Sequence, residues 1–157
     1  MRLRLMAIGT RMPAWVDAAF NDYWRRMRAT WKPELIELPT ASRRESGGVT
    51  HAAKSAEAKR LSLLITPRDF VVTLDERGTQ KSTLELSQWL EQRRASGRDL
   101  AFVIGGPDGL DDEMLKCADL RWSLSRLTLP HGMVRVMLAE QLYRASCVLA
   151  GHPYHRE

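Results

Sequence analysis

Two continuous apolar runs, Phe70–Leu74 and Leu100–Ile104, constrain the fold of this chain most tightly. A strand with one wet face alternates apolar and polar residues. A strand apolar throughout is covered on both faces, as in a parallel sheet whose crossovers are helices. The rest of the chain supplies those crossovers. Arg2–Ile8 is a short strand, with Leu3, Leu5 and Ala7 alternating against Arg2, Arg4 and Met6. Gly9-Thr10 turns the chain, and Pro13 opens a helix that runs to about Arg28. Its buried stripe is expected to be Trp15, Ala18, Ala19, Tyr23 and Met27, while Arg25, Arg26 and Arg28 suit the macrodipole at its end.

Glu34–Leu38 reads as a second strand, 39–49 as a mobile Ser-, Gly- and Arg-rich loop, and 51–64 as a helix. Asp75–Thr79 is expected to turn. Ser82 caps a helix through Arg94 with Leu84, Leu86, Trp89 and Leu90 inward, and Gly97 stops it. A short helix from Asp111, a brief strand at Arg121–Leu124, an irregular stretch from Ser125 to Gly132 and a long helix over Met133–Ala150 complete the pattern. That helix carries two apolar stripes: Val134, Leu138, Leu142, Ala145 and Leu149, and Met133, Met137, Tyr143 and Cys147. One serves the core and the other suggests a partner surface. The fold class that follows is α/β, a mostly parallel sheet with helices on both faces, with ligands expected at the carboxyl ends of the strands.

With 157 residues the chain fits a single domain spanning 1–157. It has no run of apolar residues long enough for a membrane span and no secretory signal pattern. Two cysteines, Cys117 and Cys147, make neither a disulfide framework nor a metal cluster, so a reduced, cytoplasmic protein without metal is expected. The net charge of +5 favours a polyanionic partner, and arginine greatly outnumbers lysine. Arginine forks onto phosphates, although a GC-rich genome yields the same bias. Arg43-Arg44 in the loop fits a phosphate contact of an RNA partner, or a merely solvated pair.

Three strands end in loops built for a ligand: Leu74-Asp75, Gly105-Gly106, and Leu124 to Leu129. The glycines at 105, 106 and 109 miss the dinucleotide spacing. Asp108, Asp111, Asp112 and Glu113 crowd the helix start that a pyrophosphate would need. A cofactor with positive charge and no phosphate fits better, and S-adenosyl-L-methionine meets both conditions. A tight turn with ordinary N-terminal acids accounts for the same residues. A β-branched side chain at Gly106 is expected to close such a site. The irregular backbone around Leu124, Leu127 and Leu129 needs hydrogen-bond partners, which an adenine ring could provide.

Val72-Thr73-Leu74-Asp75, Ile104 to Leu110, Ser123 to Gly132, Val134-Arg135-Val136, Glu140 to Ala145 and the terminal His152-Pro-Tyr-His-Arg-Glu157 together resemble the RlmH family of ribosomal large-subunit pseudouridine N3-methyltransferases. These are small members of the SPOUT class of RNA methyltransferases, and the resemblance covers essentially the whole chain. It implies a C-terminal trefoil knot, an exception to unknotted topologies. It further implies a homodimer formed in part by the long last helix, and a bent S-adenosylmethionine in the knot loops. By position, the cofactor-binding residues are Leu74, Gly105, Gly106, Leu124, Ser125, Arg126, Leu127, Thr128 and Leu129. The implied substrate is the pseudouridine of the large-subunit rRNA stem-loop that reaches toward the decoding region of the ribosome.

Methylating N3 requires removal of an imide proton, hence a base or cations that stabilise the anion. The tail, unusually rich for a terminus, supplies both. His155 is the candidate base. Arg156 and Arg144 can stabilise the anion or hold phosphates, and Tyr154 can stack on the base. Arg144 is also four residues from Glu140, the spacing of a simple helix ion pair, and His131 fits a structural cap. Two other readings compete: a SPOUT enzyme acting on another RNA nucleotide, and a non-catalytic ribosome-binding module, against which the intact glycines and tail argue.

Overall fold

The computed structural model describes residues 1–27, 31–42 and 50–154, and strands alternate with helices along all of them. The elements are β1 (Arg2–Ile8), α1 (Ala14–Arg26), β2 (Lys32–Leu38), α2 (Thr50–Ser62), β3 (Asp69–Thr79), α3 (Thr83–Ala95), β4 (Asp99–Ile104), α4 (Asp112–Cys117), β5 (Leu120–Trp122) and α5 (His131–Leu149). The five strands form one sheet in the order β2-β1-β4-β3-β5, every pair parallel. β2 starts earlier than expected and takes in Pro33, which its place at the sheet edge tolerates because one row of donors there needs no partner.

Helices cover both faces. Leu3, Leu5 and Ala7 of β1 with Val72 and Phe102 pack against Phe20 and Trp24 of α1, Leu86 and Leu90 of α3, and Leu138 and Leu142 of α5. Met6 and Ile8 with Val71, Ala101 and Val103 pack against Ala58 and Leu61 of α2 and Met114 of α4. β1 is therefore buried on both sides rather than half-wet. Arg4 is buried too, its Nη1 donating to Asp69 at 2.7 Å and its Nε lying 3.3 Å from Glu34.

The buried stripe of α1 is Val16, Phe20, Trp24 and Met27, one position out of phase with the expected set. Trp15 is 56% exposed, Ala18 is exposed, and Ala19 and Tyr23 are half-buried. Docking on α5 sets the phase: a Cβ on Gly132 would stand 2.9 Å from Val16 Cγ2, so the two helix starts meet at van der Waals contact. In α3, Leu86 and Leu90 are buried and Trp89 lies edge-on to Phe70, but Leu84 faces outward. The expected cap holds, since Ser82 accepts from the Glu85 amide and Glu85 accepts from the Ser82 amide.

Asp75–Thr79 is not a turn that ends the strand. β3 continues to Thr79 with a bulge in which Leu74 and Thr79 both register on Trp122, and the Ser123 amide donates to the Thr79 carbonyl. Gly78 makes this possible, because a Cβ there would lie 2.7 Å from the backbone of Arg121. In α5, Leu138, Leu142 and Ala145 are fully buried as expected. The first stripe therefore serves the core, and Cys147 of the second is buried within the chain as well. Among the described residues no helix is long and apolar enough to cross a membrane.

Candidate functional site

A cleft of about 870 Å³ opens at the carboxyl ends of β3, β4 and β5. Three loops and the start of α5 shape it. Leu74 and the β3 bulge form one wall, Gly105 to Leu110 a second, and Leu124 to Leu129 a third, while His131 and Val134 close the back. The second loop is a tight turn: the Gly109 amide donates to the Gly106 carbonyl at 2.9 Å, and Gly109 takes φ of 82°, a left-handed conformation open to glycine. A side chain at 105 is excluded, because its Cβ would meet the Gly109 carbonyl carbon at 2.6 Å. At 106 the vacant Cβ direction points at Glu57 Oε2, 2.9 Å away, and at Ile8. A larger residue there displaces the buried Glu57 carboxylate instead of filling the cleft, which corrects the expectation for Gly106.

The acids divide into two groups. Asp111 caps α4, accepting from the Met114 amide at 2.8 Å. Asp108 and Asp112 line the cleft, together with Asp75 and Glu76 of the bulge. Burial raises the Asp75 carboxyl, but the Arg121 guanidinium and the Arg77 amide outweigh it and hold the group below its ordinary value. Glu76 accepts from Thr128 Oγ1 at 3.0 Å. The irregular third loop satisfies part of its backbone itself: Ser123 Oγ donates to the Ser125 carbonyl and Ser125 Oγ accepts from the Leu127 amide. An adenine ring is therefore not needed for those two groups. Of the nine candidate cofactor residues, eight line the cleft; Arg126 is exposed and lies outside the lining.

Behind the cleft sit His131, expected as a structural cap, and Arg135, to which sequence reasoning gave no role. Arg135 is 2% exposed; it pairs with Glu37 and donates to the carbonyls of Gly9 at 2.6 Å and Ile8 at 3.3 Å. One turn earlier, His131 Nε2 is buried without a hydrogen-bond partner. Burial and the neighbouring Arg135 charge push the imidazole below its ordinary value against the pull of the Ile8 and Gly105 carbonyls, so the ring is neutral at physiological pH. Arg135 stands between two valines on an apolar helix. Only its side-chain length, enough to reach the end of β1, hinted at the role.

Tyr154 belongs to a separate cluster. Its hydroxyl donates to Glu140 Oε1 at 3.1 Å, its ring meets Tyr143 edge-on at 4.8 Å, and the Arg144 guanidinium lies over it at 5.0 Å. Arg144 is tied to Glu140 by Nε at 2.9 Å and Nη2 at 2.6 Å, the ion pair its spacing allows. Glu140 lies nine residues along α5 from His131, about 13 Å at the rise of an α-helix. The candidate catalytic residues Tyr154 and Arg144 thus stand apart from the cleft of their own chain. His155, Arg156, Arg43 and Arg44 lie outside the described residues.

The family described as "Predicted SPOUT methyltransferase" matches residues 1–155. The chain belongs to the SPOUT methyltransferase family. Among the similar relatives of this SPOUT methyltransferase, proteins named ribosomal RNA large subunit methyltransferase H from Thiobacillus denitrificans and Methylobacillus flagellatus are 49% and 48% identical, each over 100% of both chains. Among solved structures, a probable methylase family protein from Haemophilus influenzae aligns with a TM-score of 0.57 over 99% of this chain and 70% of that one, at 15% identity, a likeness of fold alone. The parallel sheet with helices on both faces is the SPOUT methyltransferase's own architecture.

Proposed function

We propose that the protein methylates N3 of a pseudouridine in large-subunit rRNA, with S-adenosyl-L-methionine as the methyl donor and a homodimer as the working form. The observation that carries the donor assignment is the cleft itself. The carboxylates Asp75, Glu76, Asp108 and Asp112 line it beside the cations Lys54, Arg77, Lys116 and Arg121, so its charge is balanced, while the bare Gly105-Gly106 turn and Leu74, Leu124, Leu127 and Leu129 offer backbone and apolar contact suited to a donor without phosphates. The donor, when bound, supplies an electrophilic methyl carbon on a sulfonium centre. Leu74, Gly105, Gly106 and the run 124–129 would hold it, the loops through backbone amides and carbonyls and the leucines through apolar contact. Identity of about half of all positions with relatives named for large-subunit rRNA methylation supports the substrate class. The trefoil knot of the C-terminal part is carried over from the same resemblance.

The chain's own chemistry is proton removal. His155 takes the imide proton, and Arg156 stabilises the anion while it forms. Tyr154 is held to Glu140, six residues along α5 from Val134 at the back of the cleft, about 9 Å at the helical rise. In the proposed homodimer the tail of one protomer serves the cleft of its partner, a reading supported by Tyr154 and Arg144 standing outside the cleft lining of their own chain.

Mass-spectrometric mapping of rRNA from cells lacking this protein tests the substrate: loss of the methyl group from one large-subunit pseudouridine is expected, and an unchanged modification pattern overturns the reading. Calorimetry with S-adenosylmethionine tests the donor. Deletion of residues 154–157 should abolish single-turnover methylation with donor affinity unchanged. Wild-type rates in that variant would remove the tail from the site.

A further inference from the structure

One carboxylate gathers the contacts that hold Tyr154 and Arg144. Glu140 Oε1 accepts three donors, the Tyr154 hydroxyl at 3.1 Å, Arg144 Nε at 2.9 Å and Arg144 Nη2 at 2.6 Å. Its Oε2 accepts from Gln141 Nε2 at 2.6 Å, and Gln141 Oε1 in turn accepts from Thr83 Oγ1 of α3 at 3.2 Å. Both oxygens are thus engaged, and the carboxylate is fixed from α3, from its own helix and from the tail. The half-buried Tyr154 ring is clasped between Tyr143 and the Arg144 guanidinium. Burial, hydrogen bonding to Tyr23 and the adjacent Glu140 charge raise the phenol above its ordinary value, so it remains a donor at every physiological pH. Hydrogen bonds to an ionised acceptor are roughly twice as strong as neutral ones. A surface tail without a task needs no such anchor.

We propose that Glu140 is a positioning residue for methyl transfer: by holding Tyr154 and Arg144 it fixes the point from which His155 and Arg156 leave the fold. This rests on the reading of the tail as part of the active site. An ordinary helix ion pair would stabilise α5 slightly and do nothing else. A positioning residue acts on the rate, and Glu140 and Tyr154 then act as one unit, so their effects do not add.

The test uses the intact protein with Glu140→Ala, Glu140→Gln, Tyr154→Phe and the double variant Glu140→Ala/Tyr154→Phe. Glu91→Gln is the control, since Glu91 makes a comparable exposed pair with Arg94 on α3. Two quantities are read: the single-turnover methylation rate at saturating ribosomal substrate, and the rate at which carboxypeptidase trims the C-terminus of the folded protein. Glu140→Ala should lower the methylation rate by about 10- to 100-fold, a loss of orientation, and speed trimming. Donor affinity should stay at its wild-type value. Glu140→Gln, which keeps the side-chain shape and one acceptor oxygen but not the charge, should recover part of the rate. The double variant should be no slower than Glu140→Ala. Unchanged trimming and rate in Glu140→Ala overturn the proposal, as does a rate loss matched by an equal loss of donor affinity. Faster trimming with an unchanged rate also overturns the positioning role, and separately shows that the tail takes no part in the reaction.

Discussion

Asp99 closes the amino end of the sheet by accepting from both the Arg2 amide at 2.7 Å and Arg2 Nε at 2.9 Å. Burial raises its carboxyl, and the two Arg2 donors more than reverse this, leaving it below the ordinary 3.8. A depressed carboxylate contributes stability that is present above its unfolded value and lost as pH falls through the native one. Asp99→Asn should therefore cost about 1–2 kcal/mol in urea titrations at neutral pH. The difference from wild type should fade on acidification below the ordinary carboxylate range; a difference constant with pH would refute the assignment. At this scale the loops that line the cleft were legible, because paired glycines, an unusual density of acids and a Leu-Thr-Leu-Pro run leave local signatures. Arg135 and Glu57 were not. Each is a charged residue at a helical position, indistinguishable from a solvated one until the partner elements, β1 and the Gly106 turn, are in place.

The elements themselves were mostly legible, and the misreadings share a cause. In α1 the sets Trp15, Ala19, Tyr23 and Val16, Phe20, Trp24 are both apolar at helical spacing. Only contact with Gly132 of α5 selects the second. The bulge of β3 was taken for a turn because Asp, Arg and Gly carry turn propensity, whereas pairing to β5 keeps the chain extended. Gly78 makes the bulge testable. Gly78→Ala places a methyl against Arg121 backbone that cannot swing aside, so a loss of about 1–3 kcal/mol is expected. Because the bulge carries Asp75 and Glu76 into the cleft, donor affinity should fall with it. Thermal unfolding and calorimetry together check this, and an unaffected affinity would show the bulge to be dispensable. On α5 the proposed partner face narrows to Met133 and Met137, since Cys147 is buried and Tyr143 is covered by Tyr154. Met137→Glu should convert the proposed homodimer to monomer in sedimentation runs, through an unpaired carboxylate buried at the interface. A stable dimer in that variant would place the interface elsewhere.

For the molecule as a whole, β1 is an inner strand of the sheet whose partners include segments far along the chain. β1 pairs with β4, nearly a hundred residues downstream. The carbonyls of Ile8 and Gly9 accept from the buried Arg135 guanidinium, 127 and 126 positions later. β1 is thus completed by contacts from β4 and α5, far along the chain. Such long-range closure slows folding and leaves unfinished chains exposed to aggregation and proteolysis. It also places the last helix outside the early folding events. Arg135→Met should accelerate unfolding in stopped-flow experiments while leaving the refolding rate nearly unchanged. Slower refolding would instead assign the closing contact to the folding nucleus. The guanidinium of Arg135 is a clasp between β1 and α5, joining segments more than 120 positions apart.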